Sequence, residues 1–331
     1  MLTSSTVLVT GATGFLGGNL ARGLALRGDR VRVLLRGRQR PVALEGCDYE
    51  IAEGDVRDAA ALRAAVRGCR HVVHAAAAVV FWCRDARARQ AIVDINVEGT
   101  RRVLGAAAAE RVERVLHVST VDTIGLPPPG QIADETTAWT PGRIDNIYAE
   151  TKRLAEDVAR QAEVETVIVN PAFLLGPYDP KPSSGRLLLP LARGWASPYP
   201  TRGGNNFVDV RDVVAGALAA LDRGRPGERY ILGHENLRYQ DLFARALAAL
   251  GRRPWRVPIP LGAAVAAGYV LDAVGRLTGR DPSLTSEVAR LAYADHYYSA
   301  AKAVRDLGLP QTPIDGALRD AFAWYKSAGM I

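Results

Sequence analysis

The chain has little of what several classes of protein require. Its three cysteines, Cys47, Cys69 and Cys83, show no CxxC or His/Cys spacing, which argues against a disulfide framework or a zinc site and predicts a reducing, cytoplasmic setting. The longest uncharged stretch, from Val257 to Leu271, is interrupted by prolines and glycines. It is also shorter than the ~18 apolar residues that a membrane span needs. We therefore expect no membrane span but a buried or pocket-covering helix there, with membrane contact as a minor alternative.

Neither sign of charge dominates the chain. It has 42 basic and 35 acidic side chains, a net charge of +7, and its basic residues, nearly all arginine, form no block. This spread predicts no nucleic-acid partner, although arginine suits a phosphorylated or carboxylated small molecule. The first apolar run, Val7-Leu8-Val9, ends at once in Thr10-Gly11, so we expect no export signal. An apolar fraction of 48% excludes a disordered chain.

Short β-branched runs alternate with longer segments rich in alanine and leucine. The predicted strands are 6–10, 31–35, 49–52, 71–75, 115–119 and 166–170, and the predicted helices are roughly 15–27, 58–67, 86–110 and 147–162. Because these strands are apolar throughout, they should be buried on both faces, in a doubly wound parallel sheet of the α/β class. Prolines and glycines become frequent after Pro171. We therefore predict a dinucleotide-binding domain at 1–170, with contributions from about 204–233, interleaved with a smaller, loop- and helix-rich substrate-binding part at 171–331.

A glycine motif, Thr10-Gly11-Ala12-Thr13-Gly14-Phe15-Leu16-Gly17, follows the first strand and opens the first helix. Gly11 allows the tight turn, Gly14 lets a pyrophosphate approach the backbone, and Gly17 lets the helix pack closely on the sheet. The helix N-terminus offers free N–H groups to the phosphates. The motif predicts a Rossmann-type dinucleotide site; the alternative is a tight turn that binds no ligand.

Arg36 ends the second strand, where a dinucleotide fold usually has an acid that binds the ribose hydroxyls. With Arg38 and Arg40 nearby, its guanidinium can pair with a 2′-phosphate, which favours NADP(H), with NAD as the alternative cofactor. A solvated loop arginine is the other interpretation. Asp55, after the third strand, is expected to accept a hydrogen bond from the adenine amino group, unless it only caps a helix.

Tyr148 and Lys152 lie four residues apart and therefore on one face of a predicted helix. A phenol is a poor acid–base catalyst at neutral pH unless a nearby cation stabilises the phenolate. Lys152 could supply that cation and also hold the nicotinamide ribose. The spacing alone is common, but the glycine motif upstream and Val118-Ser119-Thr120 between them make it indicative of a catalytic pair.

With these motifs the sequence resembles the extended short-chain dehydrogenase/reductase family, also called the NAD-dependent epimerase/dehydratase family. The resemblance rests on 10–17, 54–55, 74–77, 96–100, 119–120, 148/152, 170–171, 176–177 and 207–213, with 298–302 and 306–308 near the C-terminal end. Within the family it is similar to the dihydroflavonol-4-reductase-like and 3β-hydroxysteroid-dehydrogenase-like groups and to hopanoid-associated sugar epimerases.

The resemblance implies an NAD(P)-dependent enzyme with a Thr/Ser-Tyr-Lys catalytic set. Tyr148 would exchange a proton with the substrate oxygen, Lys152 would lower the pKa of Tyr148, and Thr120 would hydrogen-bond the same oxygen. Family members usually carry serine at this position; Thr120 is a tolerable variant of it, and Ser119 is the alternative. The implied cofactor contacts are Gly11, Thr13, Gly14, Phe15, Leu16, Gly17, Arg36, Asp55, Val56, Ala75, Ala76, Asn96, Ser119, Tyr148, Lys152 and Pro171. For Asn96, packing a helix against the sheet is the alternative.

Aromatic residues near the expected site suggest the substrate. We assign Phe81, Trp82, Phe173 and Tyr178 to the substrate pocket together with Thr120, although each aromatic could be plain core. Many sugar-nucleotide relatives have Gly-Pro-Arg where this chain has Gly176-Pro177-Tyr178. These features predict a reductase that interconverts a ketone and a secondary alcohol on a sizeable, partly apolar molecule.

Two other functions remain open from the sequence. One is a nucleotide-sugar epimerase or dehydratase with tightly bound NAD(P), and the other is a non-catalytic NADP sensor, which the intact Tyr148 and Lys152 disfavour. The alanine-rich helices at 86–110 and 147–162 also predict a homodimer, although burial within one chain would explain the alanines nearly as well.

Overall fold

The computed structural model describes residues 5–81, 83, 85–126, 128, 130–139, 146–182, 185–194, 197–252, 256–279 and 284–331. The described strands are β1 (Thr6–Thr10), β2 (Arg30–Leu35), β3 (Glu50–Glu53), β4 (His71–His74), β5 (Arg114–Val118), β6 (Thr166–Pro171), β7 (Phe173–Leu175), β8 (Ser197–Pro200), β9 (Gly204–Asp209), β10 (Arg229–Leu232), β11 (Glu235–Arg238), β12 (Arg256–Ile259) and β13 (Asp295–His296). The described helices are α1 (Phe15–Arg27), α2 (Ala59–Val66), α3 (Ala86–Val93), α4 (Gly99–Ala109), α5 (Ile147–Arg160), α6 (Gly185–Ala192), α7 (Val210–Arg223), α8 (Tyr239–Ala249), α9 (Leu261–Thr278), α10 (Ser286–Leu291), α11 (Ala301–Leu307) and α12 (Ile314–Ser327).

Seven strands form one sheet in the order β10-β6-β5-β4-β1-β2-β3, and every neighbouring pair is parallel. Successive side chains of a strand point to opposite faces, so β1 contributes side chains to two separate hydrophobic cores. Val7 and Val9 join the core on one face, and Leu8 joins the core on the other. The predicted doubly wound α/β sheet with helices on both faces is confirmed.

Most predicted boundaries agree with the structure within two residues, but the long helix predicted at 86–110 was wrong as one regular helix. α3 ends at Val93, Asp94–Glu98 form a π-helical turn, and α4 begins at Gly99. A π-helical turn places an extra residue in the helix, so side chains on either side of it face different directions. It also turns Asn96 towards the interior, where its side chain is buried.

The chain after Pro171 contains more regular structure than its proline and glycine content predicted. A second sheet has the order β11-β9-β13, with β7 also paired to β9, and a separate pair joins β8 to β12. Residues 204–233 were expected to contribute to the first domain. Within them, β10 extends the large sheet beside β6, and α7 packs on α1. β9 instead belongs to the second sheet, which corrects that part of the prediction.

The uncharged stretch was predicted to form a buried or pocket-covering helix, and the prediction of burial is wrong. It begins in β12 and continues into α9, whose only buried side chains or glycines are Gly268, Asp272 and Gly275. Among the described residues, α9 is also the one helix long and apolar enough to cross a bilayer, judged by length and composition alone.

Most alanines of α4 and α5 are buried within the single chain. Ala107, Ala155 and Ala159 are at most 2% exposed, and the two helices pack on each other. Packing inside the chain therefore accounts for these small side chains, and the homodimer stays a prediction without their support.

Candidate active site

The glycine motif forms a cradle that only residues without side chains can line. Gly11 has φ +78°, and a Cβ atom there would lie 2.6 Å from the backbone of Ala75 and Ala76. A Cβ on Gly17 would lie 2.3 Å from the carbonyl oxygen of Gly11. Gly14 is the N-cap of α1 and provides no side-chain hydrogen bond, so the first N–H groups of the helix face an open position. These features fit the pyrophosphate of a dinucleotide.

The other residues predicted to contact the cofactor lie along one edge of the large sheet. Thr13, Phe15 and Leu16 lie at the glycine cradle, while Arg36, Asp55, Val56, Ala75, Ser119 and Pro171 lie at or just after the carboxyl ends of β2, β3, β4, β5 and β6. The carboxyl edge of a parallel sheet is where doubly wound folds bind their ligands. The fold therefore brings these residues to the edge that the sequence predicted.

The turn after β4 is tied to the cradle by hydrogen bonds. The Ala75 N–H donates to the carbonyl oxygen of Thr10 at 3.2 Å, and the Ala76 N–H donates to the Thr10 hydroxyl at 3.2 Å. That hydroxyl also contacts Nδ1 of His74 at 2.8 Å, and Nε2 of His74 contacts the hydroxyl of Thr100 at 3.0 Å. Burial and the charge of Lys152 lower the pKa of His74 to about 3, so this histidine is neutral.

Asn96 acts as a bridge between the turn after β4 and α5. Its Oδ1 accepts from the Ala78 N–H at 2.7 Å, and its Nδ2 donates to the carbonyl of Ala78 at 3.1 Å and to the hydroxyl of Thr151 at 2.9 Å. The amide is thus already engaged inside the protein, which agrees with the packing interpretation of this residue. Its predicted cofactor contact stays a prediction.

Arg36 and Asp55 meet at the carboxyl ends of β2 and β3. The Arg36 side chain is 67% exposed, and its Nη1 lies 3.7 Å from Oδ2 of Asp55. Arg57 donates its backbone N–H and its guanidinium to the same carboxylate at 2.9 to 3.0 Å. The hydrogen bond from Arg57 lowers the pKa of Asp55, and Arg36 adds to the effect. Asp55 does not cap α2, because the Asp58 carboxylate does so.

Tyr148, Thr120 and Phe81 lie together at the carboxyl end of β5. Tyr148 is held in the first turn of α5, whose N-cap Asn146 accepts the N–H of Ala149 at 2.7 Å. The Thr120 hydroxyl lies close enough to the phenol to act on its pKa, which it lowers. The ring of Phe81 packs edge-on against the Tyr148 ring, with centroids 5.4 Å apart. The structure therefore brings together a hydroxyl pair and an aromatic wall.

Lys152 is buried one turn further along α5. Its Nζ donates to the carbonyl oxygen of Val118 at 2.7 Å. Burial lowers the pKa of Lys152 to about 8, and the carboxylate of Glu156 opposes that shift. The ammonium is therefore held at the end of β5, between the sheet and the catalytic helix.

Glu156 organises a polar network behind Lys152. One carboxylate oxygen accepts from the hydroxyls of Ser119 and Thr123 at 2.8 Å and from Nδ2 of Asn170 at 2.9 Å. The other accepts from Arg160 at 2.8 Å and Arg229 at 3.3 Å. Burial works against the ionised form, but these hydrogen bonds and the arginines keep the pKa of Glu156 below its ordinary value. The Ser119 hydroxyl is thus committed to Glu156, which disfavours Ser119 as the stand-in for Thr120.

The electrostatics around Tyr148 differ from the expectation for an activated phenol. Burial and the nearby carboxylate of Asp122 raise the pKa of Tyr148, although the Thr120 hydroxyl opposes them. Lys152 was expected to lower this pKa, but its ammonium is directed at the Val118 carbonyl instead. In this arrangement the phenol is protonated at neutral pH and is a proton donor.

The predicted substrate residues are not all grouped around Tyr148. Phe81 is 40% exposed and contacts the Tyr148 ring, as expected of a pocket wall. Phe173 packs against Phe207 at 5.3 Å, in the core of the second sheet. Tyr178 lies under the guanidinium of Arg22 at 5.2 Å and near Trp324. These contacts give Phe173 and Tyr178 packing roles, and Trp82 lies outside the described residues.

Three site residues escaped the sequence reasoning. Glu156 continues the four-residue spacing of Tyr148 and Lys152 along one face of α5, a signal that could have revealed it. Arg57 lies two residues after Asp55, but nothing in the sequence distinguishes it from other arginines. Asp122 has no recognisable spacing, because its proximity to Tyr148 arises from the turn after β5.

The fold and this site define a dinucleotide-binding enzyme of the Rossmann type. Residues 7–233 match the model of the NAD dependent epimerase/dehydratase family, and the chain belongs to that family. It is an enzyme of the NAD(P)-dependent, extended short-chain dehydrogenase/reductase type.

Full-length relatives agree with this assignment. The chain is 37% identical to a Synechocystis protein named provisionally as a dihydroflavonol 4-reductase, covering 98% of this chain and 95% of that protein. It is 36% identical to the sterol demethylase protein B of Methylococcus capsulatus, covering 98% and 100%. The crystal structure of gox2253 has a TM-score of 0.85 and 34% identity, covering 99% and 100%. The dTDP-glucose 4,6-dehydratase DesIV of Streptomyces venezuelae, solved with NAD, has a TM-score of 0.77 and 25% identity, covering 97% of each chain.

Proposed function

We propose that this enzyme is an NADP(H)-dependent reductase that interconverts a ketone and a secondary alcohol on a sizeable, partly apolar small molecule. The observation that carries the proposal is the contact of the exposed Phe81 ring with the Tyr148 ring, with the Thr120 hydroxyl near the same phenol. Two hydroxyls can bind one substrate oxygen, and the aromatic wall favours an apolar group next to it.

Tyr148 donates a proton to the carbonyl oxygen in the direction of reduction, since its pKa is raised and its phenol is protonated at neutral pH. Thr120 donates a second hydrogen bond to the same oxygen and fixes its position. The dinucleotide, when bound, supplies the hydride at its nicotinamide ring. Lys152 holds positive charge at the end of β5, where it would bind the nicotinamide ribose.

The residues assigned to cofactor binding have different tasks. The cradle of Gly11, Gly14 and Gly17 binds the pyrophosphate, and Asp55 accepts from the adenine amino group. Arg36 is proposed to bind a 2′-phosphate, because its guanidinium is exposed and its distance of 3.7 Å from Asp55 leaves it free to pair with another anion. Arg57 holds Asp55 in place and adds a second cation to this corner.

The names of similar proteins support an apolar substrate. One relative is named for a dihydroflavonol and another for a sterol, both fused-ring molecules with a large apolar body. A nucleotide-sugar epimerase or dehydratase is the second candidate, and it is supported by the family description and by the likeness to DesIV. Such an enzyme would retain its cofactor and return it unchanged.

A screen of NADPH oxidation over ketones and nucleotide sugars distinguishes the two candidates. We expect stoichiometric oxidation of NADPH with fused-ring or long-chain ketones and none with nucleotide sugars. Conversion of a nucleotide sugar with no net change in NADPH absorbance would instead establish the epimerase or dehydratase. A Thr120→Val variant should lower turnover of the ketone, while a Thr137→Val variant, which changes an exposed hydroxyl in the loop before α5, serves as its control.

A further inference from the structure

Helix α9 buries a polar side chain and exposes apolar ones, which is the opposite of a typical surface helix of a soluble protein. Its buried stripe consists of Gly268, Asp272 and Gly275. Its outer face, defined here as Ala263, Ala266, Val270, Ala273, Val274 and Leu277, is exposed and carries no charged or polar side chain. Val270 is 62% exposed and Leu277 is 87% exposed. Surface helices normally bury the apolar face and expose the polar one.

Packing on α10 holds α9 in this orientation. A Cβ atom on Gly268 would lie 2.5 Å from Cα of Ser286, so the two helices approach at backbone distance. The carboxylate of Asp272 accepts the backbone N–H of Ser286 at 3.1 Å at the start of α10. The outer face therefore points away from the protein because of specific contacts, and rotating it inward would break them.

The apolar surface continues beyond α9. Val257 and Pro258 of β12 are exposed, as is Pro260 at the start of the helix. Arginines border it on the side of α10: Arg276 is exposed near the end of α9, and the guanidinium of the exposed Arg290 stacks on the ring of Tyr269 at 5.2 Å. An apolar strip with arginines at its edge matches a layer of acyl chains beneath anionic headgroups.

We propose that the outer face of α9 docks the enzyme on the surface of a bilayer that contains anionic lipids. The helix would lie in the plane of the membrane, because it packs along α10 and continues from β12, which pairs with β8. The cations at the edge favour a lipid headgroup layer over a second protein chain. This docking is independent of which substrate the enzyme takes.

The position of α9 in the chain relates membrane docking to the candidate active site. Three residues separate α10 from β13, and His296 in β13 opposes the burial that raises the pKa of Asp122, whose carboxylate in turn raises the pKa of Tyr148. Docking would therefore bring the bilayer to the part of the chain that precedes these groups.

Vesicle flotation of the full-length enzyme tests the proposal. We expect it to float with phosphatidylcholine vesicles that contain phosphatidylglycerol, to float less with phosphatidylcholine alone, and to be released by high salt. The double variant Val270→Ser/Leu277→Ser should lower the partition coefficient at least tenfold. The control Leu26→Ser/Val304→Ser, which changes exposed residues on α1 and α11, should leave it unchanged.

A second pair of variants tests the arginine edge. Arg276→Gln should weaken binding to phosphatidylglycerol vesicles about threefold and reduce its salt dependence, while Arg87→Gln, an exposed arginine on α3, should do neither. Thermal melting of all variants should match the wild type, because every substituted side chain is exposed.

Four results would overturn the proposal. One is failure of the enzyme to float with either kind of vesicle, and another is a loss of binding by the control pair as strong as that of the α9 pair. Protein that stays with the vesicles after alkaline carbonate extraction would show that α9 spans the bilayer. Light scattering that shows a dimer which only the α9 pair dissociates, without vesicle binding, would assign the face to a second copy of this chain.

Discussion

Polar and apolar side chains are arranged in opposite ways in two regions of the molecule. One region is the carboxyl edge of the large sheet, and the other is the arm formed by β12, α9 and α10. At the sheet edge, Lys152 and Glu156 are buried, and their charged groups make hydrogen bonds of 3.3 Å or less. On the arm, the polar Asp272 is buried against α10 while Val270 and Leu277 face outward.

The comparison teaches that each arrangement needs a different stabilising partner. A buried ion costs several kcal/mol unless other groups of the same chain satisfy it, so the sheet edge is complete only with its network intact. An exposed apolar face costs little by itself and gains free energy only when something outside the chain covers it. Substitutions in the first region should therefore affect catalysis and folding, and substitutions in the second should affect association.

The largest effect is expected at Tyr148. Tyr148→Phe removes the oxygen that transfers the proton, so kcat should fall by about 10² to 10⁴ while the Kd of NADPH barely changes. Steady-state kinetics and calorimetry measure the two quantities. Tyr49→Phe is the matched control, since that phenol lies beside β3, and near-normal turnover of Tyr148→Phe would remove Tyr148 as the proton donor.

The next largest effect is expected for the preference between the two cofactors. Charge-assisted hydrogen bonds contribute about 1.5 to 3 kcal/mol each, so Arg36 should favour NADP over NAD by roughly ten- to a thousandfold. Arg36→Asp should erase or invert that ratio, because its carboxylate would repel the 2′-phosphate. Calorimetry of both cofactors with wild type, Arg36→Asp and an Arg87→Asp control provides the test; tighter binding of NAD by the wild type would contradict the assignment.

The loss in the free energy of unfolding on substitution should differ between the two regions. Glu156→Gln leaves Arg229, whose side chain is 17% exposed, and the half-exposed Arg160 without their carboxylate, and should lower the free energy of unfolding by about 2 to 3 kcal/mol. Glu150→Gln breaks an exposed pair with Arg89 and should cost below about 1 kcal/mol. Val270→Ser on the arm should stay within about 0.5 kcal/mol. Urea unfolding of the three variants checks this order, and equal losses would mean that the regions do not differ.

The last expected effect is a dependence of stability on pH. The pKa of Lys152 is about 8 in the folded chain, below the ordinary value of 10.5, so the unfolded chain binds more protons between these two values. Folding stability should therefore rise with pH from about 8 to 10.5 relative to a Lys152→Met variant. Below pH 8 the burial of the ammonium costs its full amount. Urea midpoints measured at pH 7, 9 and 10.5 reveal the trend, and a parallel pH dependence in both proteins would refute it.

The sequence alone determined the class of fold and predicted the central residues of the candidate site. Apolar strands and the glycine motif predicted a doubly wound sheet, because both depend on local periodicity and on turns that only glycine allows. Tyr148 and Lys152 were predicted from their spacing along one helix, and Thr120 was implied by the resemblance to the family. Such signals are short in range, so a single sequence carries them.

Only the tertiary structure decided what surrounds those residues. Asp122 reaches Tyr148, and Glu156 meets Ser119, Asn170 and Arg229, through contacts between elements far apart in the chain. The same holds for α9: its composition suggested a buried helix, and its exposure became evident only from the packing of Gly268 and Asp272 on α10. Hydropathy records how apolar a segment is, whereas the face that it buries depends on which neighbour the folded chain provides.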